Sequence, residues 1–471
     1  MLSLTKKKTK TELPSQFTFP FEYTPHPLAV EAADEVKCFL RETGLGYPDG
    51  KFTEGKMFGV LVVTTDDTPS PSSPLFFLAA YSGTLDIDTG DFFVPAIYDL
   101  PKGSIPTDPA ASYELQMNIF HQYRLLNARG ESKDIIEIFE DYHSDTPTRN
   151  FFCTPRDAES RNKDKSYLPP AGTGECCAPK LLQYAYQHGL RPLCMGEFWW
   201  GASPKGEIRH HGRWYPACQS KCRPILSWMM QGLNVEQDPQ IVRINEAAGH
   251  LQVIYEDHDI IAVNKPAGLL SVPSNFEAPN VDDIIREKYG ITDTPVMIHR
   301  LDMDTSGIML LSKTKEANKA IQEQFFRKEI QKKYVALLYP EPSDTLPQEG
   351  RISLPLSRDP LDRPRQIVDH EHGKESITDF TILGKTDING TEAIRIAFFP
   401  RTGRTHQLRV HAASNEGIGH PILGDPLYGP DDTDWATNER RFPRLYLQAV
   451  SIEFTHPTTG ERVHLEVDEE F

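Results

Sequence analysis

The segment His299-Arg-Leu-Asp-Met-Asp-Thr-Ser-Gly307 sets two carboxylates, Asp302 and Asp304, just ahead of the apolar run Ile308–Leu311. A carboxylate in a loop entering a buried strand is held by a rigid element yet can face a cleft, as a nucleophile or acid–base group must. Acidic loop residues also commonly cap turns, and Asp304, within Asp-Thr-Ser-Gly, reads most simply as part of a hydrogen-bonded turn. A second segment, Arg401-Thr-Gly-Arg-Thr-His-Gln-Leu-Arg-Val-His411, packs three arginines and two histidines into eleven positions. Arginine offers a planar, permanently charged fork that suits phosphate or carboxylate. A buried aspartate nucleophile would need such a partner to stay ionised. The alternative is a solvated basic turn followed by a helix start, against which the apolar flanks argue.

Tyr334 follows Lys332 and Lys333 at the entry to a strand, where a tyrosine is ordinarily a core or edge residue. Val263-Asn-Lys-Pro-Ala-Gly-Leu-Leu-Ser-Val-Pro273 leaves a strand through a turn shaped by proline and glycine. Basic residues gather at Arg327, Lys328, Lys332 and Lys333, and again at Arg358, Arg363 and Arg365 in a proline-punctuated loop.

The elements that must hold these groups read as strands at Leu251–Tyr255, Ile260–Asn264, Ile308–Leu311, Lys333–Leu338, Glu392–Phe398, Arg444–Phe454 and Arg462–Leu465. Helices are expected at Val281–Tyr289 and Lys315–Phe326. Such an alternation predicts an α+β domain, a mixed and mainly antiparallel sheet with helices against it. Upstream, a helix is expected over Leu28–Arg41, and strands over Phe58–Thr64, Leu75–Tyr81 and Phe92–Tyr98. Helices follow at Ala110–Asn127, Lys133–Tyr142 and Lys180–His188, with Phe198-Trp-Trp-Gly as core. Ser144–Pro170, with four prolines, reads as a loop. The polar stretch at 232–248 marks a boundary, giving an N-terminal α/β extension over 1–240 and a second domain over 241–471. A further division of the extension is expected near 145/146.

In this order the blocks VNKPAGLLSVP, HRLDMDTSG, KKYVAL and RTGRTHQLRVH, followed by GHPILGDPLYG at Gly419–Gly429, resemble the signature motifs of RluA-type pseudouridine synthases. The likeness covers about 250 to 471, with HRLD, the tyrosine and GRTHQLR intact. It implies the pseudouridine synthase fold and a uridine-isomerising enzyme acting on ribosomal RNA, on tRNA anticodon stem-loops, or on both. Asp302 would attack the target nucleoside, Tyr334 would take a proton in the later steps, and Arg404 would pair with Asp302. Arg300 would fill the gap left by a flipped base or hold RNA. Lys265, His299, Arg358, Arg363, Arg365, Arg401, His406 and Arg409 would contribute to RNA binding. A carbon–nitrogen bond is exchanged for a carbon–carbon bond without redox change, so neither a cofactor nor a catalytic metal is expected.

Two other readings compete. One is a catalytically silent RNA-binding or RNA-folding protein that kept the fold, against which the intact Asp302, Tyr334 and Arg404 argue. The other is a carboxylate-based nucleosidase or glycosidase, which would release free base and would not need the RNA-gripping arginines.

The chain of 471 residues carries a net charge of −17, the wrong sign for nucleic-acid binding by bulk charge. RNA would have to be met by locally gathered arginines. At 38% hydrophobic residues and a mean hydropathy of −0.46, a soluble protein without a membrane partner is expected. The start, with Lys6, Lys7, Lys8 and Lys10 but no apolar core behind them, reads as a solvated tail and not as a secretory signal. Seven cysteines, an odd number, fit reduced thiols in a cytoplasmic protein.

Residues 172–182, Gly-Thr-Gly-Glu-Cys-Cys-Ala-Pro-Lys-Leu-Leu, and Gly196-Glu-Phe-Trp-Trp-Gly201 are similar to an N-terminal extension of larger bacterial members of the family. Gly172-Thr-Gly is too short for a phosphate-binding loop and lacks its Gly-Lys-Ser/Thr ending, so no nucleotide cofactor is expected. Cys218-x-x-x-Cys222 with Cys176, Cys177, Cys194 or His211 could bind zinc, with Cys177, Cys218 and Cys222 the foremost candidates. The spacing is looser than in paired zinc motifs, and free cysteine is also an ordinary small core residue.

Overall fold

The computed structural model describes residues 2–3, 12–21, 24–47, 55–83, 90–98, 109–145, 169–204, 208–274, 278–292, 294, 296–340, 346–430 and 442–471. The lysine tail at 6–10 and most of the expected loop at 144–170 lie outside the described residues. The chain forms two compact units, Met1–Pro239 and Gln240–Phe471.

In the first unit the strand Lys56–Thr64 is apolar almost throughout and covered on both faces. Its period of two sends Phe58, Val60 and Val62 to one side, against the helix Pro27–Glu42, and Leu61 and Val63 to the other, against the helix Cys177–Gln187. Burying each such side chain stabilises the unit by about 1.5–3 kcal/mol. The sheet runs Leu2–Ser3, Phe76–Tyr81, Lys56–Thr64, Arg191–Trp200, Trp214–Tyr215, with every pairing antiparallel, so helices and strands here are arranged as α+β. Lys56–Thr64 pairs with Arg191–Trp200, so one sheet draws strands from both sides of 145/146, and the expected subdivision there is not followed.

Phe92–Tyr98 is not a strand. Pro95 interrupts it, and its aromatic rings cover the sheet instead of extending it: Phe92 stacks on Phe39 at 3.8 Å between centroids. The helix expected over Ala110–Asn127 ends at Gln122, and Arg124–Leu126 turns into a hairpin with Ser132–Asp134. The next helix starts at Ile135, where Asp134 Oδ1 accepts from Glu137 N–H and Glu137 Oε2 accepts from Asp134 N–H, both at 2.8 Å. This reciprocal cap satisfies backbone donors at the helix start.

The second unit is built on a nine-stranded sheet. Its order is Glu349–Ser353, Ile377–Ile388, Thr391–Pro400, Gln331–Leu338, Leu447–Thr455, Ser306–Ser312, Ile260–Lys265, Gln252–Glu256, with Arg462–Glu466 added on Leu447–Thr455. All pairings are antiparallel except that of Ser306–Ser312 with Leu447–Thr455. Ser306–Ser312 is buried along its whole length. Met309 and Leu311 face the helices Pro239–Ala248 and Val281–Tyr289, while Ile308 and Leu310 face Lys315–Phe326. At Gly307, with φ of +109°, a Cβ would stand 2.1 Å from the carbonyl oxygen of Ala449. Only glycine lets the two parallel strands approach there, immediately after the loop that carries Asp302. Among the described residues no helix is long and apolar enough to cross a membrane.

Candidate active site

Asp302 sits in the loop 299–305 between the short β-bridge at Met297 and the central strand, and its backbone is clamped from the Val263–Pro273 segment. Lys265 Nζ donates to the carbonyls of Pro266 at 2.9 Å, Leu269 at 2.8 Å and Met303 at 2.9 Å. Ser271 Oγ donates to Leu301 O at 2.6 Å and accepts from Leu301 N–H at 3.2 Å, and Gly268 N–H donates to Met303 O at 2.9 Å. Lys265, expected to touch RNA, is therefore a fully buried clamp. Burial lowers its pKa to about 7, against the pull of Asp304 and Asp302. His299 is corrected likewise: its Nε2 accepts the backbone N–H of Leu310 at 2.9 Å, its ring lies 4.8 Å from that of Phe325, and burial lowers its pKa to about 3. A neutral imidazole tied into the backbone ladder positions the loop and does not grip phosphate.

Asp302 opens into a cleft of about 420 Å³, within the roughly 300–1,000 Å³ usual for small-molecule sites. Its side chain is 24% exposed, and its Oδ2 stands 4.0 Å from His406 Nε2. The cleft is also lined by Asp304, Arg300, Arg358, Arg363 and Arg409. Four arginines around two carboxylates give the local positive charge that the acidic chain as a whole lacks.

The expected pair between Arg404 and Asp302 is not made. Arg404 is exposed, and its Nε donates to Glu375 O at 3.2 Å. The arginine whose field reaches Asp302 and Asp304 is Arg409. Arg409 is 3% exposed, with Nε on Asp425 Oδ2 at 2.7 Å and a terminal nitrogen on Asp425 Oδ1 at 2.6 Å. Burial opposes its charge, but the bond to Asp425 and the fields of Asp302 and Asp304 keep it protonated. The separation has a helical cause: Arg409 lies in the buried helix Gln407–Ala413, whereas Arg404 precedes it in an exposed turn. Arg409 is thus no surface RNA contact, contrary to expectation.

His406 takes the left-handed conformation, φ 52° and ψ 19°, which non-glycine residues rarely adopt and which surrounding contacts must impose. Its Nδ1 meets the Tyr428 hydroxyl at 2.9 Å, and that hydroxyl accepts the backbone N–H of Gln366 at 2.7 Å. With the phenol donating to Nδ1, the proton of the neutral ring is on Nε2, facing Asp302. Burial lowers the His406 pKa, with Arg409 adding to the effect and Asp302 opposing it. Tyr428 and Asp425 both belong to the GHPILGDPLYG block, for which sequence reasoning assigned no role. Gly424, with φ of +68° and its would-be Cβ 1.8 Å from Arg444 O, lets that block pass close to the sheet.

Tyr334 enters its strand where the pairing with Leu447–Thr455 shifts register, between Lys333 and Tyr334, an irregularity that re-aims a side chain. Burial raises its pKa, and the charge of Asp302 raises it further. Asp304 feels burial too, which raises its pKa against the pull of Arg409 and Lys265, so it is more than a turn residue.

Arg300, Arg358 and Arg363 are exposed and line the cleft. Arg365 does not line it: its Nε pairs with Asp362 at 3.2 Å and its guanidinium lies over the Tyr428 ring at 5.8 Å. Arg401 is held by Asp379 at 2.8 Å. Of the other basic cluster, Arg327 pairs with Glu323 at 2.5 Å and Lys328 faces Glu375 at 3.5 Å.

The cysteine candidates also divide. Cys177 Sγ donates to Met57 O at 3.4 Å, inside the core of the first unit. Cys176, its neighbour, meets Cys218 and Cys222. His211 Nδ1 accepts from Gly201 N–H at 3.0 Å and its ring lies 4.3 Å from that of Trp200, so it is engaged elsewhere.

Residues 259–414 match the family model described as RNA pseudouridylate synthase. The chain is 40% identical over 213 residues to the Dual-specificity RNA pseudouridine synthase RluA of Haemophilus ducreyi, covering 45% of this chain and 90% of that one. It is 35% identical over 244 residues to the protein of the same name from Escherichia coli K12, covering 51% of this chain and 99% of that one. Among solved structures it is similar to Human RNA Pseudouridylate Synthase Domain Containing 1, with a TM-score of 0.38 and 26% identity, covering 48% of this chain and 85% of that one. The class is that of RNA-modifying isomerases. The chain belongs to the RNA pseudouridine synthase family, in its RluA type.

Proposed function

We propose that this enzyme isomerises uridines in ribosomal RNA and in tRNA anticodon stem-loops, in the cytoplasm, with Asp302 as nucleophile. The dual-specificity relatives favour two RNA classes. The observation that carries the catalytic reading is Asp302 itself. Of the two carboxylates that line the cleft it is the one faced by the Nε2 edge of His406, and it lies within the field of a buried, permanently charged Arg409.

The uridine leaves its stack, at a cost of about a few kcal/mol, and enters beside Asp302. Arg300, at the rim, fills the space the base vacates or holds its phosphate, and Arg358 and Arg363 hold flanking phosphates. The carboxylate of Asp302 adds to the nucleoside, at the ribose C1′ or the ring C6. The C1′–N1 bond breaks with its electron pair kept by the uracil, the uracil turns, and C5 bonds to C1′. The bond to Asp302 breaks and returns its electrons to the carboxylate, C5 gives up its proton, and N1 takes one up.

Tyr334 is the base in that last step. Burial first, and the charge of Asp302 second, hold the Tyr334 proton on. To take the C5 proton the phenol must first give up its own, against burial as well as the charge of Asp302.

The test is to incubate the protein with tRNA and ribosomal RNA transcripts and map pseudouridine, with Asp302→Asn as control. Product from the wild type and none from the variant supports the proposal. RNA binding without product would mean a silent RNA-binding protein, and free uracil would mean a nucleosidase.

A further inference from the structure

We propose that Cys176, Cys218 and Cys222 form a binding site in the N-terminal unit for one thiophilic divalent cation, zinc, held by three thiolates and a water. Their sulfurs lie within 4.8 Å of one another. Tetrahedral zinc with Zn–S bonds of about 2.3 Å sets a sulfur–sulfur edge near ~3.8 Å, so a small inward shift closes the shell.

The three thiols come from two segments that the fold brings together. Cys176 is the cap residue of the helix Cys177–Gln187 and Cys222 that of Arg223–Met229, yet neither side chain caps its helix. Both thiols turn to each other and to Cys218 instead. The sulfurs also receive N–H groups: the backbone of Cys222 donates to Cys218 Sγ, and that of Gly174 to Cys222 Sγ. Ser220 Oγ adds a contact to Cys218 Sγ at 3.3 Å. Oriented N–H donors favour thiolate, the form a metal takes.

Core packing does not account for the cluster. Cys222 is buried like Cys177 and Cys194, but Cys176 and Cys218 are only half-buried. A disulfide would use two of the three and strand the third, whereas one cation takes all. Zinc there would staple the turn 172–176, with Gly172 at φ +72° and Gly174 at φ +90°, to the segment Cys218–Cys222. All three ligands lie in the unit Met1–Pro239.

The experiment uses the full chain, produced in zinc-supplemented medium and purified without a histidine tag or chelator. Elemental analysis should find one zinc per chain. Cys176→Ser and Cys218→Ser should each lose it, while Cys38→Ser, at an exposed position, should keep it. Circular dichroism on Cys218→Ser checks that the variant is folded. Cobalt exchanged into the wild type should give thiolate-to-metal charge-transfer absorption that Cys218→Ser lacks. Folded protein free of zinc that takes up no cobalt would overturn the proposal. So would a disulfide among the three cysteines, or a Cys218→Ser protein that retains stoichiometric zinc.

Discussion

His406 Nε2 stands 4.0 Å from Asp302 Oδ2, while its other ring nitrogen is occupied by the Tyr428 hydroxyl. With the phenol as donor, the ring presents Nε2–H to Asp302. Tyr428→Phe keeps the ring and removes the hydroxyl that meets Nδ1 and accepts the Gln366 N–H. It should lower kcat about tenfold, equivalent to about 1.4 kcal/mol, with KM for RNA little changed. Single-turnover kinetics at saturating enzyme reads this; an unchanged rate would show the relay to be idle.

Arg409 and Arg404 should behave oppositely. Arg409→Met leaves Asp425 buried without its cation and should cost about 3–5 kcal/mol of stability, as well as nearly all activity. Arg409→Met combined with Asp425→Leu should recover stability but not turnover. Arg404→Ala should leave single-turnover rates within about twofold, since its side chain meets a backbone carbonyl away from the nucleophile. Denaturant unfolding and the rate assay together separate the two arginines.

Lys265→Met removes three hydrogen bonds, one to Met303 in the loop that carries Asp302 and two to Pro266 and Leu269 behind it. A displacement of about 1 Å at the nucleophile can cost ~100-fold in rate. The expected result is a large fall in kcat with RNA affinity retained. A fall in affinity with kcat intact would mean that Lys265 does reach RNA.

Arg358→Gln and Arg363→Gln should each flatten the salt dependence of RNA binding. The slope of log affinity against log salt should shrink by about 0.7–0.9 for each phosphate that is no longer neutralised. Arg365→Gln, at a residue already paired with Asp362, should change that slope much less. Filter-binding titrations over a salt series measure all three.

Buried His411 carries a pH signature that adds to that of His299. Its pKa is lowered by burial from 6.5 to about 4, so between those values the unfolded chain binds a proton that the folded chain refuses. Stability is therefore complete above about pH 6.5 and is lost as pH falls toward 4, by an amount on the order of 3 kcal/mol. His411→Asn should flatten denaturation midpoints over that window; an unaltered slope would assign the acid sensitivity to other groups.

The sequence determined part of the second unit, because one-dimensional periodicity is what a half-buried helix or strand imposes; the strands Glu349–Ser353 and Ile377–Ile388 and the helix Pro239–Ala248 were not read from it. Val281–Tyr289 and Lys315–Phe326 begin and end where their caps and apolar stripes put them. The strands at 260–265, 306–312 and 331–338 were legible for the same reason. Asp302 and Tyr334 could be named from their blocks. Three-dimensional packing decided which charges meet. Arg404 and Arg409 are equivalent on paper, but only a helix buried against the sheet carries one of them inward. Lys265 reads as a phosphate ligand until the fold removes it from water and surrounds it with carbonyls. Likewise Cys176 and Cys177 are adjacent in sequence, yet one turns to Cys218 and Cys222 and the other into the core. At about 100° of helical rotation per residue, adjacent side chains point to different places, and only the packed neighbours say where.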